Sequence, residues 1–215
     1  MFVVGSSSYG TPMQYKYKYM NRLAVPLPEM LDEKPDLIVF TGGEDINPAM
    51  YGEKSIYRGS HYNNERDANE KAWYLYAKTN KIPMVGICRG MQLFTIMQGG
   101  KLIQDIVGHS GRAAHKITTI DKNIVNTNSL HHQVCVPYKS SGSPINHVML
   151  AWSDEWEHYS GTKETELLFA EMGRIPEAIW FPDINALGVQ FHPEMMQRDS
   201  SGYKYFTSLL ETYLP

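Results

Sequence analysis

The chain has 215 residues, of which 42% are hydrophobic and 20% are charged, values close to those of ordinary globular proteins. This composition excludes disordered, collagen-like and coiled-coil proteins, and a chain of this length can bury a core without disulfides. The 20 Lys and Arg residues against 23 Asp and Glu residues give a net charge of −3, which argues against a dedicated nucleic-acid binder.

The cysteine content and the length of the apolar runs predict the cellular compartment of the protein. The two cysteines, Cys88 and Cys135, are too few for a disulfide framework. Residues 1–6 lack a basic region followed by a long apolar run, so no signal peptide is predicted. The longest apolar runs, such as Leu37–Phe40, are much shorter than the roughly 20 residues of a membrane span. We therefore expect a reduced, cytoplasmic protein with no membrane segment.

Short apolar segments alternate with helical stretches along the first half of the chain. Strands are predicted at Phe2–Val4, Leu23–Leu27, Leu37–Phe40 and Pro83–Ile87, and helices at Glu65–Thr79 and Met91–Met97. The continuous apolar run Leu37–Phe40 ends at Thr41-Gly42-Gly43, which is typical of a buried parallel strand followed by a tight turn.

The second half is richer in strand patterns and ends in a helix. Strands are predicted at Lys116–Ile120, Gln133–Val136, Val148–Trp152, Leu167–Ala170, Ala178–Phe181 and Leu187–Phe191, and a closing helix at Gly202–Leu214. Strands separated by helices favour an α/β fold with a mainly parallel central sheet. No break in composition requires a second domain, so one domain over residues 1–215 is predicted.

A glycine-flanked cysteine carries the strongest chemical signal. Residues Gly86–Gly90 read Gly-x-Cys-x-Gly between a predicted strand and a predicted helix, the thiol counterpart of a nucleophile elbow. Such a sharp turn strains its central residue and leaves no room for neighbouring side chains. It also puts Cys88 at a helix N-terminus, which favours a thiolate, with the N–H of Arg89 aimed at a developing oxyanion. A buried packing cysteine is the alternative, and the two glycines favour the nucleophile.

A base for this thiol is predicted at the end of the last strand. A thiolate needs a base partner, and the segment Gly188–Glu194 delivers His192 to a strand end, where ligands bind in open parallel sheets. Glu194 falls on the same side two residues later and can hold one ring nitrogen of His192. A His-Pro-Glu triplet by itself is more often a surface turn. Gly42-Gly43 offers a second oxyanion N–H, with a plain turn as the alternative.

Together these segments resemble a known family. Gly86–Gln92 followed by Gly188–Glu194 is similar to the class I glutamine amidotransferase superfamily. Further segments resemble its γ-glutamyl hydrolase branch, peptidase family C26, and are similar to γ-glutamyl-γ-aminobutyrate hydrolases. These segments are Gly42–Pro48, Tyr51–Glu53, Arg66-Asp67 with Glu70, Gly99–Ile106, Asn128–Gln133 and Glu177–Ile179.

The resemblance implies a doubly wound, flavodoxin-like α/β domain that needs no cofactor. By matching position, it implies a catalytic triad of Cys88, His192 and Glu194, oxyanion-hole N–H groups from Gly43 and Arg89, and contacts to the glutamyl end of the substrate from Gln92, His131, His132 and Gln133. Between the first two strands the chain departs from the family pattern, because only Tyr9–Asn21 fills the place of a longer helix.

Three functions remain open at this stage. The first is a free-standing hydrolase that cleaves γ-glutamyl amides through a thioester on Cys88. The second is a glutaminase component that takes glutamine and passes ammonia to a separate synthetase partner. The third is a non-enzymatic binding module on the same fold, which an intact triad opposes.

Two further residue patterns have plainer explanations. His131-His132 with His109 and His115 suggests zinc, but neighbouring histidines on a strand point to opposite faces and no metal-type spacing accompanies them, so no metal is predicted. The alternation of tyrosine and lysine over residues 15–19 suggests a surface for single-stranded nucleic acid. The acidic total favours packed tyrosines instead, and no nucleic-acid partner is predicted.

Overall fold

The computed structural model describes residues 2–4, 34–56 and 59–214 of the chain. The strand predicted at Leu23–Leu27, the segment Tyr9–Asn21 and its tyrosine–lysine alternation therefore lie outside the described residues.

Within the described residues the strands are β1 (Phe2–Val4), β2 (Ile38–Phe40), β3 (Met84–Ile87), β4 (Lys101–Ile103), β5 (Asp105–Ile106), β6 (Arg112–Thr119), β7 (Ile124–Ser129), β8 (Val134–Val136), β9 (Val148–Ser153), β10 (Tyr159–Ser160), β11 (Ile175–Phe181) and β12 (Ala186–Val189). The α-helices are α1 (Asn64–Thr79), α2 (Arg89–Met97), α3 (Lys163–Met172) and α4 (Ser201–Tyr213).

Eight of these strands form one mixed central sheet in the order β1-β2-β3-β12-β11-β9-β6-β7. The strands from β1 to β12 pair in parallel, as predicted, whereas β12 to β7 pair antiparallel. Short connections explain two of the antiparallel pairs, because β6 reaches β7, and β11 reaches β12, through tight turns that leave no room for a crossover. The α/β class is confirmed.

Helices cover both faces of the parallel half, so its strands are apolar on both sides. In and just before β2, Ile38 and Phe40 pack against α1 and α2. The alternate residues Leu37 and Val39 pack with α4 on the other face. All four of these side chains are fully buried. Alternate side chains of the strand therefore belong to two separate hydrophobic clusters, one on each face of the sheet. Packing on both faces holds the sheet between its helical layers.

One predicted strand is wrong, because residues 167–170 lie inside helix α3. The side chain of Thr162 accepts from the Thr165 N–H at the start of this helix, and Gly173 ends it in the left-handed conformation with φ 60°. Thr165 and Phe169 are buried four residues apart, whereas Leu167 is 64% exposed. That spacing is helical, and a four-residue apolar run cannot reveal it by itself.

The sheet topology brings three chain segments to one edge. Strands β2, β3 and β12 are parallel neighbours, so their C-terminal ends lie side by side. Thr41, Cys88 and Gln190 follow these three strand ends directly. The predicted functional segments therefore converge where ligands bind in open α/β sheets.

No helix in the described part of the chain is both long enough and apolar enough to cross a membrane.

Candidate active site

The turn after β3 has the strained geometry that its glycines predict. Cys88 has φ 51° and ψ −103°, a left-handed φ that is rare for a residue with a side chain. A Cβ atom at Gly86 would lie 2.5 Å from the carbonyl carbon of Gly90, and one at Gly90 would lie 2.5 Å from the Phe40 oxygen. Both positions therefore require glycine, and the elbow presents Cys88 at the first turn of α2.

Cys88, His192 and Glu194 come together at this edge of the sheet. His192 lies within hydrogen-bonding reach of the Cys88 sulfur. Its Nδ1 donates to Glu194 Oε1 at 2.7 Å. Burial by itself would lower the pKa of His192, but the hydrogen bonds and charges of Cys88 and Glu194 outweigh it and raise this pKa to about 10. The arrangement holds the imidazole between the Cys88 sulfur and the Glu194 carboxylate.

Asn128, on β7, fixes the backbone of His192 and was not singled out as a site residue. Its side-chain amide donates to His192 O at 2.9 Å and accepts from His192 N–H at 2.8 Å. This pair of bonds crosses from the far edge of the sheet to the loop after β12. Asn128 lies in the segment Asn128–Gln133 quoted for the family resemblance, which is the signal that could have pointed to it.

Gln190 is a second residue that sequence reasoning missed. Its Nε2 donates to Cys88 Sγ at 3.4 Å, and its Oε1 accepts from Gln92 Nε2 at 3.4 Å. Gln92 Nε2 also lies 3.5 Å from the backbone oxygen of Gln133. The side chain of Gln190 is thus an oriented donor to the sulfur, held by the first turns of α2. Its place two residues before His192 was the available signal.

A buried ionic network lies behind the elbow. Arg89 is fully buried and donates to Asp67 Oδ1 at 2.5 Å and to Glu70. Arg66 donates from Nε to Glu70 Oε1 at 2.8 Å and from Nη1 to Glu44. Burial lowers the pKa of Arg89 to about 10, and the charge of Arg66 adds to this, while Asp67 opposes it. Helix α1 is therefore tied to the elbow by charge as well as by packing.

Arg66 also sets the peptide planes of the loop after β2. Its Nη2 donates to Gly42 O at 2.9 Å and to Thr41 O at 3.3 Å. Because a trans peptide points its C=O and N–H in opposite directions, the Gly43 N–H faces away from the guanidinium. A Cβ atom at Gly42 would lie 2.6 Å from His192 Cε1, so this loop needs glycine where it approaches the imidazole.

The predicted glutamyl-binding residues have different surroundings. His132 is half-buried, with Nε2 2.8 Å from Asp45 Oδ1 and Nδ1 3.3 Å from Asp105 Oδ1. His131 turns the other way and places Nε2 3.6 Å from Glu177 Oε1. The amide of Gln133 is buried, and neither its Nε2 nor its Oε1 has a hydrogen-bond partner among the described residues. Gln133 thus has unused polar atoms near Gln92.

Among the described residues, one group has the donor types and proximity that a metal ion requires. The ligand atoms of His109, His131 and Glu177 lie within 4.8 Å of one another, and all three residues are buried. The prediction of no metal rested on spacing along the sequence, and these residues meet only in the folded chain.

The chain is similar to several glutamine amidotransferase-type proteins. It is 30% identical over 161 residues to a protein of Lactococcus lactis subsp. lactis, provisionally named glutamine amidotransferase-like protein YvdE, covering 74% of this chain and 66% of that one. It is 27% identical over 136 residues to the carbamoyl phosphate synthase small chain of Helicobacter pylori, covering 62% and 31%. The chain thus spans less than two thirds of the length of either relative.

A solved structure shows the same fold. A protein of Thermoplasma acidophilum, provisionally described as one of the subunits of GMP synthase, superposes with a TM-score of 0.58 at 14% identity, covering 99% of this chain and 94% of that one. The family model for Peptidase C26 matches residues 26–150, which span β2, the elbow and the segment up to β9. Since this match includes more than half of its residues, the chain belongs to the peptidase C26 family.

Proposed function

We propose that this chain is a cysteine hydrolase that cleaves γ-glutamyl amide bonds through a γ-glutamyl thioester on Cys88. The observation that carries the proposal is the contact of Cys88 with His192, whose other nitrogen is held 2.7 Å from Glu194. A strained thiol at a helix N-terminus, next to a base that a carboxylate orients, has the parts that thiol-dependent acyl transfer needs. Residues 1–215 act in this proposal as one domain.

The first half of the reaction forms the thioester. The Cys88 thiolate attacks the δ-carbonyl of the substrate, and the N–H groups of Gly43 and Arg89 bind the oxyanion. Each such donor contributes about 2.7–4 kcal/mol in comparable sites. Two observations support these donors. Arg66 donates a hydrogen bond to the Gly42 carbonyl, so the Gly43 N–H points the other way. The Arg89 N–H makes no hydrogen bond in the described part of the chain.

Proton transfers by His192 complete the cycle. His192 protonates the leaving amine as the C–N bond breaks, which leaves the γ-glutamyl group on sulfur. The neutral imidazole then takes a proton from water, whose oxygen attacks the thioester and releases glutamate and the thiolate. Glu194 keeps the ring in one tautomer and orientation throughout. Gln190 Nε2 donates to the sulfur and stabilises its thiolate form before attack and after release.

The glutamyl end of the substrate is proposed to bind near Gln92 and Gln133. The unpaired amide of Gln133 supports this role, because buried polar atoms seek a partner. His132 belongs to the same segment, with Asp45 and Asp105 as its neighbours. The side chain of His131 faces Glu177 instead, so its contribution to substrate binding is to hold the backbone of the segment.

Trapping the acyl-enzyme tests the function directly. We expect brief exposure of the purified chain to a panel of γ-glutamyl amides to add one γ-glutamyl mass to the peptide that contains Cys88, followed by release of glutamate. Mass spectrometry after rapid acid quench gives the adduct and its position. The peptide with Cys135 is the internal control and should stay unmodified. The absence of any adduct and of any turnover across the panel would favour a non-enzymatic binding module.

A glutaminase component is the second candidate, because one relative is named a carbamoyl phosphate synthase small chain. In that case glutamine is the substrate and a synthetase receives the ammonia. Turnover by the chain without a partner separates the two functions. Rapid hydrolysis of γ-glutamyl amides by the purified chain supports the hydrolase, whereas activity that requires a second protein supports the amidotransferase component.

Replacing Glu194 with glutamine should lower activity and move its alkaline limit. Glu194 helps to raise the pKa of His192 to about 10, so the imidazole keeps its proton up to that pH. In Glu194→Gln this pKa falls, so the alkaline limb of kcat/KM against pH moves to lower pH and the rate drops roughly 10²–10⁴-fold. The exposed Glu211→Gln is the matched control. An unshifted alkaline limb in Glu194→Gln would remove Glu194 from the mechanism.

A further inference from the structure

We propose that His109, His131 and Glu177 form a buried binding site for a divalent transition-metal ion, zinc being the best match. The three ligand atoms lie within 4.8 Å of one another, and the three residues come from different parts of the chain. Their side chains are not part of the proposed Cys88–His192–Glu194 triad, so the existence of the metal site does not depend on the proposed function.

Hydrogen bonds to backbone carbonyls fix which ring nitrogens face the centre of the cluster. His109 Nε2 lies 2.6 Å from Glu155 O, and His131 Nδ1 lies 2.9 Å from Gln133 O. A carbonyl oxygen only accepts, so each of these nitrogens carries a hydrogen. In the neutral rings, His109 Nδ1 and His131 Nε2 therefore have free lone pairs. Such carbonyl contacts are the outer bonds that orient metal-binding histidines.

Both of these nitrogens face a buried carboxylate. His131 Nε2 lies 3.6 Å and His109 Nδ1 lies 3.9 Å from Glu177 Oε1, and His115 Nε2 supplies one donor to the same oxygen at 3.1 Å. Glu177 is fully buried, and neither its Oε2 nor His131 Nε2 has a hydrogen-bond partner among the described residues. Ser129 Oγ lies near His109 Nδ1 but is 2.5 Å from His109 O, which takes its proton. Several acceptors thus converge with too few donors between them.

A cation at the centre of the cluster would bind these acceptors, for which the described residues supply too few donors. Neutral imidazole nitrogens and one carboxylate are ligands that zinc accepts, with bonds of about 2.0–2.2 Å, whereas calcium and magnesium prefer sets made of oxygen. Ligand atoms that surround such an ion tetrahedrally are about 3.4 Å apart. The nitrogen–oxygen separations of 3.6 and 3.9 Å are close to that value, and the group as a whole, whose ligand atoms lie within 4.8 Å of one another, must contract to reach it.

The position of the site suggests a structural role close to the substrate pocket. His109 precedes β6, Glu177 lies on β11, and His131 begins the segment that leads to Gln133. Gln92 Nε2 lies 3.5 Å from the backbone oxygen of Gln133. An ion held by the three residues would hold this backbone in place from the side opposite Gln92.

Metal content of the whole chain tests the site. We expect the purified protein, incubated with zinc and then freed of unbound metal, to keep about one zinc ion per chain. Cobalt(II) in its place should give visible absorption bands from nitrogen and oxygen ligands. Glu177→Gln, which keeps the shape of the side chain, and His131→Asn should each lower retained zinc at least tenfold. The matched control is His147→Ala, a half-exposed histidine outside the cluster, which should retain the wild-type amount.

Two results would overturn the site. One is wild-type protein that retains less than about a tenth of an equivalent of zinc, in which case Glu177 is neutralised by protonated histidines. The other is wild-type zinc content in the Glu177 and His131 variants, which would place the ion elsewhere. Circular dichroism shows whether each variant is folded. If a variant does not fold, the wild-type zinc content and cobalt spectrum decide the question.

Discussion

Replacing Cys88 with alanine is expected to abolish turnover of γ-glutamyl amides, with a loss of roughly 10⁴-fold or more in kcat. The thiol is the atom that forms the thioester, and no other nucleophile occupies the elbow. The fold should persist, because alanine removes only the sulfur atom of one side chain. Steady-state kinetics and circular dichroism on the same preparation give both results.

Cys135→Ala is the matched control for the loss of a thiol. Cys135 is fully buried on β8, and burial raises the pKa of its thiol to about 12, so it stays protonated at neutral pH. We expect this variant to keep most of the activity and to lose some stability from the small cavity. Substantial turnover by Cys88→Ala would show that Cys88 is not the nucleophile.

Replacing Glu70 with glutamine is expected to destabilise the fold by about 3 kcal/mol, the low end of the range for breaking a buried ion pair. Glu70 is 1% exposed and accepts from both Arg66 and Arg89 through its two oxygens. Without the Glu70 carboxylate, less negative charge surrounds the two buried guanidinium groups. Asp67 and Glu44 then remain as their acidic partners. Arg66 also holds the loop at Gly42, so activity should fall with stability.

Urea denaturation followed by tryptophan fluorescence measures this effect. Glu65→Gln is the matched control, since Glu65 is exposed on the same helix and its replacement should stay within about 0.5 kcal/mol of wild type. Equal unfolding midpoints for the two variants would show that the buried network contributes no net stability at Glu70.

The elbow could be predicted because its determinants are adjacent in sequence. Glycines at positions 86 and 90, a preceding apolar strand and a following helix are local features, and together they force the left-handed φ of 51° at Cys88. The neighbouring carboxylate of Glu194 was predictable for the same reason, since it lies two residues from His192. The helical nature of residues 167–170 was not predictable, because a four-residue apolar run fits either periodicity.

Residues that act across the sheet were harder to find. Gln190 reaches Cys88 across 102 positions, and Asn128 reaches the backbone of His192 across 64. Arg66 touches the carbonyls of Thr41 and Gly42 only because α1 packs beside the loop after β2. Glutamine, asparagine and arginine are common on surfaces, so their presence in a sequence predicts no particular contact.

The sequence by itself predicted the strand–elbow–helix unit and most of the apolar strands, and it indicated which thiol, imidazole and carboxylate to propose as the reacting groups. Only the tertiary structure decided that β2, β3 and β12 are neighbours, which brings Cys88 and His192 into contact. It also decided that His109, His131 and Glu177 meet in one buried cluster. The physical reason is that backbone geometry and hydrophobic period act over a few residues, whereas the pairing of distant polar groups depends on how whole elements pack.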